Sequence, residues 1–287
     1  MEETAGGTAV VQGSYPLPSA GREQAEDERL RLLERVFDPA SQRRRSIVRP
    51  GWRCLDIGGG RGSIAAWLAG QVGPTGHVVV TDLETSLLER LDLPNLEVRR
   101  HDILNDPLED LAGSFDLVCS RHVLTWVTGR QPEAVARMAA CLRPGGWLLA
   151  EDGDWAVTGP TDPAHPAYAP YHAAYRAGGY WTERGLDAAV FGRRLPSLFD
   201  AAGLLEIRHE CAAQSGRGGD EFARWFGLSL AQIRLLEETR GTLTAARAQE
   251  YEALLPPWHD PGVWLVGGLV HACWGRRPAS ARAGLAI

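Results

Sequence analysis

Residues 55–70, LDIGGGRGSIAAWLAG, constrain the fold of this chain more than any other stretch. An apolar run ends in an acid, Asp56. After Ile57, glycine fills four of the next five positions, and small apolar residues follow at helical spacing. A strand that turns sharply through glycines into a helix brings backbone amides close to a ligand and aims a helix N-terminus at it. That is how a nucleotide site is built. A dinucleotide fingerprint would carry a third glycine where Ser63 stands. The spacing here is D-x-G-x-G-x-G, through Asp56, Gly58, Gly60 and Gly62. A carboxylate beside the loop opposes a pyrophosphate and suits a ligand with a cationic amine.

The rest of the chain repeats the theme. REQAEDERLRLLERVF from Arg22 has helical spacing, with Leu30, Leu33 and Val36 on one face, and Asp38-Pro39 is expected to end it. Strands are expected at 52–57, 77–82, 96–103, 115–120 and 146–152, with helices after Gly62, over ETSLLERL and over 132–142. Beyond Asp154 the pattern breaks. A helix is expected at GRRLPSLFDAAGL, a strand at 204–213, two helices over 220–255 and a final strand within 263–278. Strands alternating with helices imply an α/β protein with a parallel sheet covered on both faces.

Two further acids close successive strands. Asp82 ends VVVTD, where a carboxylate can accept hydrogen bonds from two ribose hydroxyls. Asp102 ends VRRHD and is followed by Ile103, so that one residue can take an adenine amino group and the other can pack on its ring. Leu83 can cover the opposite ring face. Each acid alone could be a helix N-cap. Three at consecutive strand ends mark the edge where such sheets bind ligands. A ligand with an amine, a ribose and an adenine, and no phosphate cradle, fits S-adenosylmethionine.

Composition removes other classes. All 30 cationic residues are arginine, which excludes lysine Schiff-base chemistry and the P-loop lysine. The net charge of −6, with no concentrated basic face, argues against nucleic-acid and membrane-surface binding. Arg43-Arg44-Arg45 reads as a solvated helix end. The five cysteines are scattered, which reads as reduced, buried thiols in a cytoplasmic protein. No leader and no membrane span are expected, and no metal-ligand spacing is present.

Taken with ERLRLLERVFDPAS, VGPTGHVVVTDLETSLL, FDLVCSRHVLTWV, CLRPGGWLLAEDGDW, FGRRLPSLFDAAGL and the terminal WGRRP, these motifs resemble the class I S-adenosylmethionine-dependent methyltransferases, and more narrowly actinobacterial enzymes acting on small natural products. The resemblance covers roughly residues 15–278. It implies a Rossmann-like, seven-stranded, mostly parallel sheet with the last strand antiparallel and an inserted helical lid. It implies one domain over 15–278, with lid segments near 155–190 and 218–260; the small, polar residues 1–14 are expected to form a flexible tail and residues 279–287 a frayed one. It also implies that Asp56, Gly58 and Gly60 hold the methionine part of the cofactor, with Ser120 and Arg121 beside it. Asp82 and Leu83 take the ribose and one adenine face, Asp102 and Ile103 take the other side, and Tyr15 closes over the cofactor. S-adenosylhomocysteine is the implied product.

Methyl transfer from a sulfonium needs alignment, exclusion of water and sometimes a base. His122, just past the fourth strand, is the first candidate for a base, the alternative being a packed ring. Asp154 is a second catalytic candidate, the alternative being a cap or an ion pair. The Tyr- and His-rich segment 163–181 reads as lid, with Tyr168, Tyr171, His172, Tyr175 and Trp181 as substrate walls or as packing. His122 and His271 depart from the relatives' pattern, so no substrate carries over, and the acceptor atom is left open among oxygen, nitrogen and carbon. A monomer and a homodimer are equally compatible with the sequence. The alternatives are a binding protein or an enzyme of rearrangement or cyclisation that uses the same cofactor, and an NAD-dependent oxidoreductase.

Overall fold

A computed structural model describes residues 23–127, 129–177 and 190–279. Its centre is a mixed sheet of eight strands. Strands β1 (Arg53–Ile57), β2 (His77–Asp82), β3 (Leu96–Arg100), β4 (Phe115–Arg121) and β5 (Leu142–Asp154) run parallel in the order β3-β2-β1-β4-β5. The last strand, β8 (Trp264–Arg276), lies antiparallel to β5 on one edge and to β7 (Leu205–Arg217) on the other. A two-residue strand, β6 (Gly159–Pro160), also pairs with β8 and is the one addition to the seven strands expected.

Helices cover both faces. α2 (Ser63–Val72) packs its Ile64, Ala65, Leu68 and Val72 onto Cys54, Val78, Val80 and Leu117. α3 (Gln131–Cys141) and α5 (Leu195–Ala201) bury Val135, Met138, Leu195 and Phe199 against Leu55, Val118 and Leu148 on the other face. Burial on both faces is why these strands read as continuous apolar runs. A third, aromatic core joins α1 (Glu23–Arg44), α4 (Tyr168–Ala177), α6 (Glu221–Arg240) and α7 (Ala245–Leu254) through Phe37, Tyr171, Trp225, Phe226 and Trp258.

Several local expectations are corrected. α1 does not stop at Asp38-Pro39 but runs through the proline to Arg44. Its last turns are tied down from outside: Asp38 pairs with Arg121, and Arg44 and Arg45 pair with Glu151. Those two arginines are therefore buried, Arg45 completely, and only Arg43 of the triplet is exposed. ETSLLERL forms a single 3-10 turn, Leu88–Arg90. There Glu84 Oε1 accepts from the Ser86 amide and Asp82 Oδ1 from the Glu84 amide, local bonds that compete with a helix. Cys211 is exposed on β7, whereas the other four thiols are buried. Among the described residues no helix is long and apolar enough to cross a membrane.

Candidate functional site

The carboxyl ends of β1 to β4 and the inner face of α1 enclose a cavity of about 540 Å³. Its floor is the glycine loop. Gly58 and Gly60 hold φ of +72° and +58°, a region that L side chains rarely adopt. A Cβ on Gly58 would stand 2.3 Å from Val123 Cγ2, so the loop after β4 can approach only because position 58 is bare. Gly62 caps α2 without a side chain of its own, and Glu34 of α1 accepts from the amide and hydroxyl of Ser63, the first residue of that helix.

Asp82 and Asp102 stand at the cavity wall with their apolar neighbours Leu83 and Ile103. Asp82 Oδ2 accepts from the Gly60 amide at 2.9 Å and Oδ1 from the Glu84 amide at 3.2 Å. Burial pushes its carboxyl up, against these hydrogen bonds. With the Leu83 amide also donating to it, the carboxylate keeps acceptor capacity for a ligand hydroxyl. Asp102 Oδ1 accepts from the Leu104 amide at 2.8 Å and Oδ2 from Asn105 Nδ2 at 2.7 Å, which fixes the turn after β3. The donors, acceptors and apolar faces present therefore fit a purine nucleoside.

Asp56 and Ser120 are not among the residues that line the cavity. Both lie beneath it in neighbouring strands and are almost fully buried. The Cys119 thiol donates to Asp56 Oδ1 at 3.4 Å. Burial raises the Asp56 carboxyl to about 6, with Arg45 and Cys119 pulling the other way. Arg121 does reach the cavity, where Nη1 also donates to Asp38 at 2.7 Å and to Ser41 Oγ at 3.2 Å. Arg44 and Arg45 grip the two oxygens of Glu151, with Ser41 Oγ donating at 2.9 Å. Burial alone would raise Glu151; the three arginines around it outweigh burial and hold it down at about 2.

His122 lines the cavity and carries an αL backbone, φ +55°. Its amide donates to the Glu151 carbonyl at 2.8 Å. Burial first, then Arg121, pushes its ring down to about 3, so it is neutral at ordinary pH and a weak base. Asp154 is absent from the cavity wall: Arg193 Nε donates to it at 2.6 Å, and the Ala156 amide at 3.1 Å. The expected substrate walls are likewise elsewhere. Tyr168 packs on His172, which bonds the Pro160 carbonyl, Tyr171 stacks on Tyr175, and the Tyr175 hydroxyl donates to the Trp155 carbonyl. These rings seat α4 on the molecule. Tyr15 and Trp181 lie outside the described residues.

The inner face of α1 is what sequence reasoning missed. Glu26, Asp27, Leu30 and Glu34 line the cavity, and Arg61 of the glycine loop pairs across its mouth with Asp27 and Glu34. Arg29 donates to both oxygens of Glu26, at 2.8 and 2.7 Å. The signal was available: Glu26, Leu30, Leu33 and Glu34 recur at spacings of three and four and so share a face. Carboxylates on a face flanked by apolar residues point inward more than a solvated helix requires.

A sequence profile described as a methyltransferase domain matches residues 19–210. Among curated proteins, an uncharacterised 37.1 kDa protein in transposon Tn4556 of Streptomyces fradiae is 33% identical over 174 residues, 50% of this chain and 50% of that one. The ubiquinone/menaquinone biosynthesis C-methyltransferase of Pseudomonas putida strain GB-1 is 40% identical over 112 residues, 36% of this chain and 43% of that one. The chain thus spans about half the length of the curated relatives it matches, or less. A solved methyltransferase candidate from Bacillus halodurans C-125 shares the fold, with a TM-score of 0.50 and 16% identity over 88% of this chain and 99% of that one.

Proposed function

The chain belongs to the methyltransferase-domain family, a family of S-adenosylmethionine-dependent enzymes, and we propose that it moves a methyl group from S-adenosylmethionine to a small molecule and releases S-adenosylhomocysteine. The observation that carries this reading is one cavity that gathers the glycine loop, Asp82 with Leu83, and Asp102 with Ile103 from the ends of three successive strands. When bound, the cofactor supplies an electrophilic methyl on a sulfonium. The residues of the chain hold and shield it. Asp82 takes the ribose hydroxyls. Leu83 and Ile103 flank the adenine, and Asp102 faces its amino group. The Gly58–Gly60 backbone, Arg121 and the α1 carboxylates hold the amino-acid end. That last role falls to α1 because Asp56 is turned away from the cavity.

The acceptor is small on two grounds. α1 is latched over the cavity by Arg61, a covered site that suits a small acceptor better than a polymer. The net charge of −6 disfavours a polyanion. A natural product, methylated in the cytoplasm, is the acceptor class that fits the resemblance. Since His122 is a weak base, alignment and exclusion of water carry the rate.

Calorimetry with S-adenosylhomocysteine on the purified protein tests this. Micromolar or tighter binding is expected, followed by release of the same product when acceptors are screened. A folded protein that does not bind it overturns the reading and brings NAD forward. Binding without product release from any acceptor overturns transfer and leaves a binding or rearranging protein.

A further inference from the structure

His271 breaks the apolar run of the last strand, and Asp154 stands away from the cavity; the fold puts the two in one buried cluster. His271 is only 5% exposed. Its Nδ1 lies 2.8 Å from Nε2 of His209, an exposed residue of the edge strand β7, and the two rings stack within 13° of parallel. Its Nε2 is closed to solvent, has no hydrogen-bond partner, and stops 3.7 Å from Asp154 Oδ2. That oxygen is held instead by Arg193, whose Nε donates to it at 2.6 Å. Arg193 belongs to the 3-10 turn Phe191–Arg194, which sits directly on the histidine. A Cβ on Gly192 would stand 2.9 Å from His271 Cδ2 and 2.6 Å from the Asp152 carbonyl oxygen. The turn also touches the 3-10 turn Leu124–Trp126, through a core that Phe191 and Leu124 share, and Trp126 lines the cavity.

The neighbours of the two rings fix their hydrogens. Nε2 of His271 faces a carboxylate, so it carries the hydrogen and leaves Nδ1 as a bare acceptor. His209 Nε2–H therefore donates to it, and His209 keeps its Nδ1 for a proton from solvent. One proton added there leaves the bond between the rings intact. A second must go to His271 Nδ1, at which the His209 N–H already points. Two N–H groups then meet head-on, and two cations face each other across stacked rings. The other groups on this face are engaged or uncharged. Asp152, opposite His271 on β5, accepts from the Gly153, Leu124 and Thr125 amides, and Cys211 of β7 and Cys273 of β8 are thiols. Burial first, then His209, push the His271 ring down; Asp154 pulls the other way and Arg193 adds to the push.

We propose that His209, His271, Asp154 and Arg193 form an acid-operated clamp on the turn Phe191–Arg194. With no proton or one added to the two rings the clamp is shut, and Arg193 holds Asp154 Oδ2. When both rings are cations they part, and His271 closes the remaining 3.7 Å to that oxygen. Arg193, whose side chain is half-exposed, then moves to solvent, and the turn loses its tie to β5. Because the turn packs on Leu124–Trp126, the cavity wall at Trp126 loosens with it. The fold thus ties the order of one cavity wall to pH, below the ordinary histidine range of ~6.5.

The test follows nitrogen-15 spectra of the histidine rings and amide exchange, on the full chain, from pH 7.5 down to pH 4. His271 is expected to carry its hydrogen on Nε2 at pH 7.5 and to titrate as the second step of the pair. As it does, protection of amides 191–194, corrected for intrinsic exchange, should fall about tenfold for each pH unit by which the ring is depressed. Protection in α2, on the other face of the sheet, should fall less, which separates the clamp from a general loss of stability. His271→Phe, which keeps a flat ring and cannot titrate, should hold its protection over 191–194 at both ends of the range. Arg193→Ala should show the low protection already at pH 7.5. A hydrogen on Nδ1 of His271 at pH 7.5, a ring that stays neutral throughout, or protection that is flat while the ring titrates overturns the clamp. So does a fall no larger than that of α2, or one that persists in His271→Phe.

Discussion

Asp82 organises the loop that it shares the cavity with. Its two oxygens accept the Gly60 and Glu84 amides, so the carboxylate shapes the floor of the cavity before any ligand arrives. Removing it leaves those amides without an acceptor and a ribose without one too. Asp82→Ala should weaken S-adenosylhomocysteine binding by about 1–3 kcal/mol, the cost of losing charged hydrogen bonds. Calorimetry reads this directly, and unchanged affinity would sink the ribose assignment. Asp56 shows the limit of the same logic. It too ends a strand beside the loop, and sequence alone cannot say on which side of the sheet edge a carboxylate falls. Its register opposite Cys119, with Arg45 beneath, sends it into the interior.

At the scale of elements, α1 is the part whose role changed most. Read along the chain it is an amphipathic helix that ends at a proline. In the fold it is anchored at one end by the buried Arg44–Glu151 and Arg45–Glu151 pairs and latched at the other by Arg61. The anchor is buried, whereas the side chains of the latch stay about a fifth exposed, so the latched end is the one more open to solvent. Partly exposed pairs are worth roughly 0.5–1 kcal/mol each. Arg61→Ala should therefore speed release of S-adenosylhomocysteine about three- to tenfold, read by stopped flow, and raise amide exchange over residues 24–34 ahead of residues 38–44. Equal exchange in both halves would show that α1 does not open from its latched end.

At the scale of the whole molecule, buried charge ties stability to pH. In the unfolded chain a histidine titrates near ~6.5, but the buried His122 stays neutral down to about 3. The unfolded state takes its proton first, so stability falls as pH drops from 6.5 towards 3. Glu151, held at about 2, adds a second loss as pH falls below the ordinary carboxylate range. Asp152 acts in the opposite sense. Burial raises it to about 7, so its contribution is present at low pH and is lost as pH rises towards 7. His122→Asn, which tolerates the αL backbone, should keep more of its pH 8 denaturation midpoint at pH 4.5 than the unchanged protein keeps. Identical profiles would show that the ring is not held neutral. The sequence by itself determined the strand order of chemistry. The alternation of apolar runs and helices, the glycine loop, and acids at three strand ends follow from local periodicity and from backbone needs that only certain residues meet. Six of the seven cavity-lining candidates for the cofactor, Gly58, Gly60, Asp82, Leu83, Asp102 and Ile103, sit in or beside those motifs, and Arg121 is the last residue of the fourth strand. The tertiary structure alone decided which side chains reach the cavity. It buried Asp56, tied Asp154 to Arg193, turned the tyrosines of α4 into packing, and brought α1 from a distant part of the chain to the cavity. Those outcomes depend on contacts between residues far apart in sequence, and no local pattern encodes the partner on the other side of a contact.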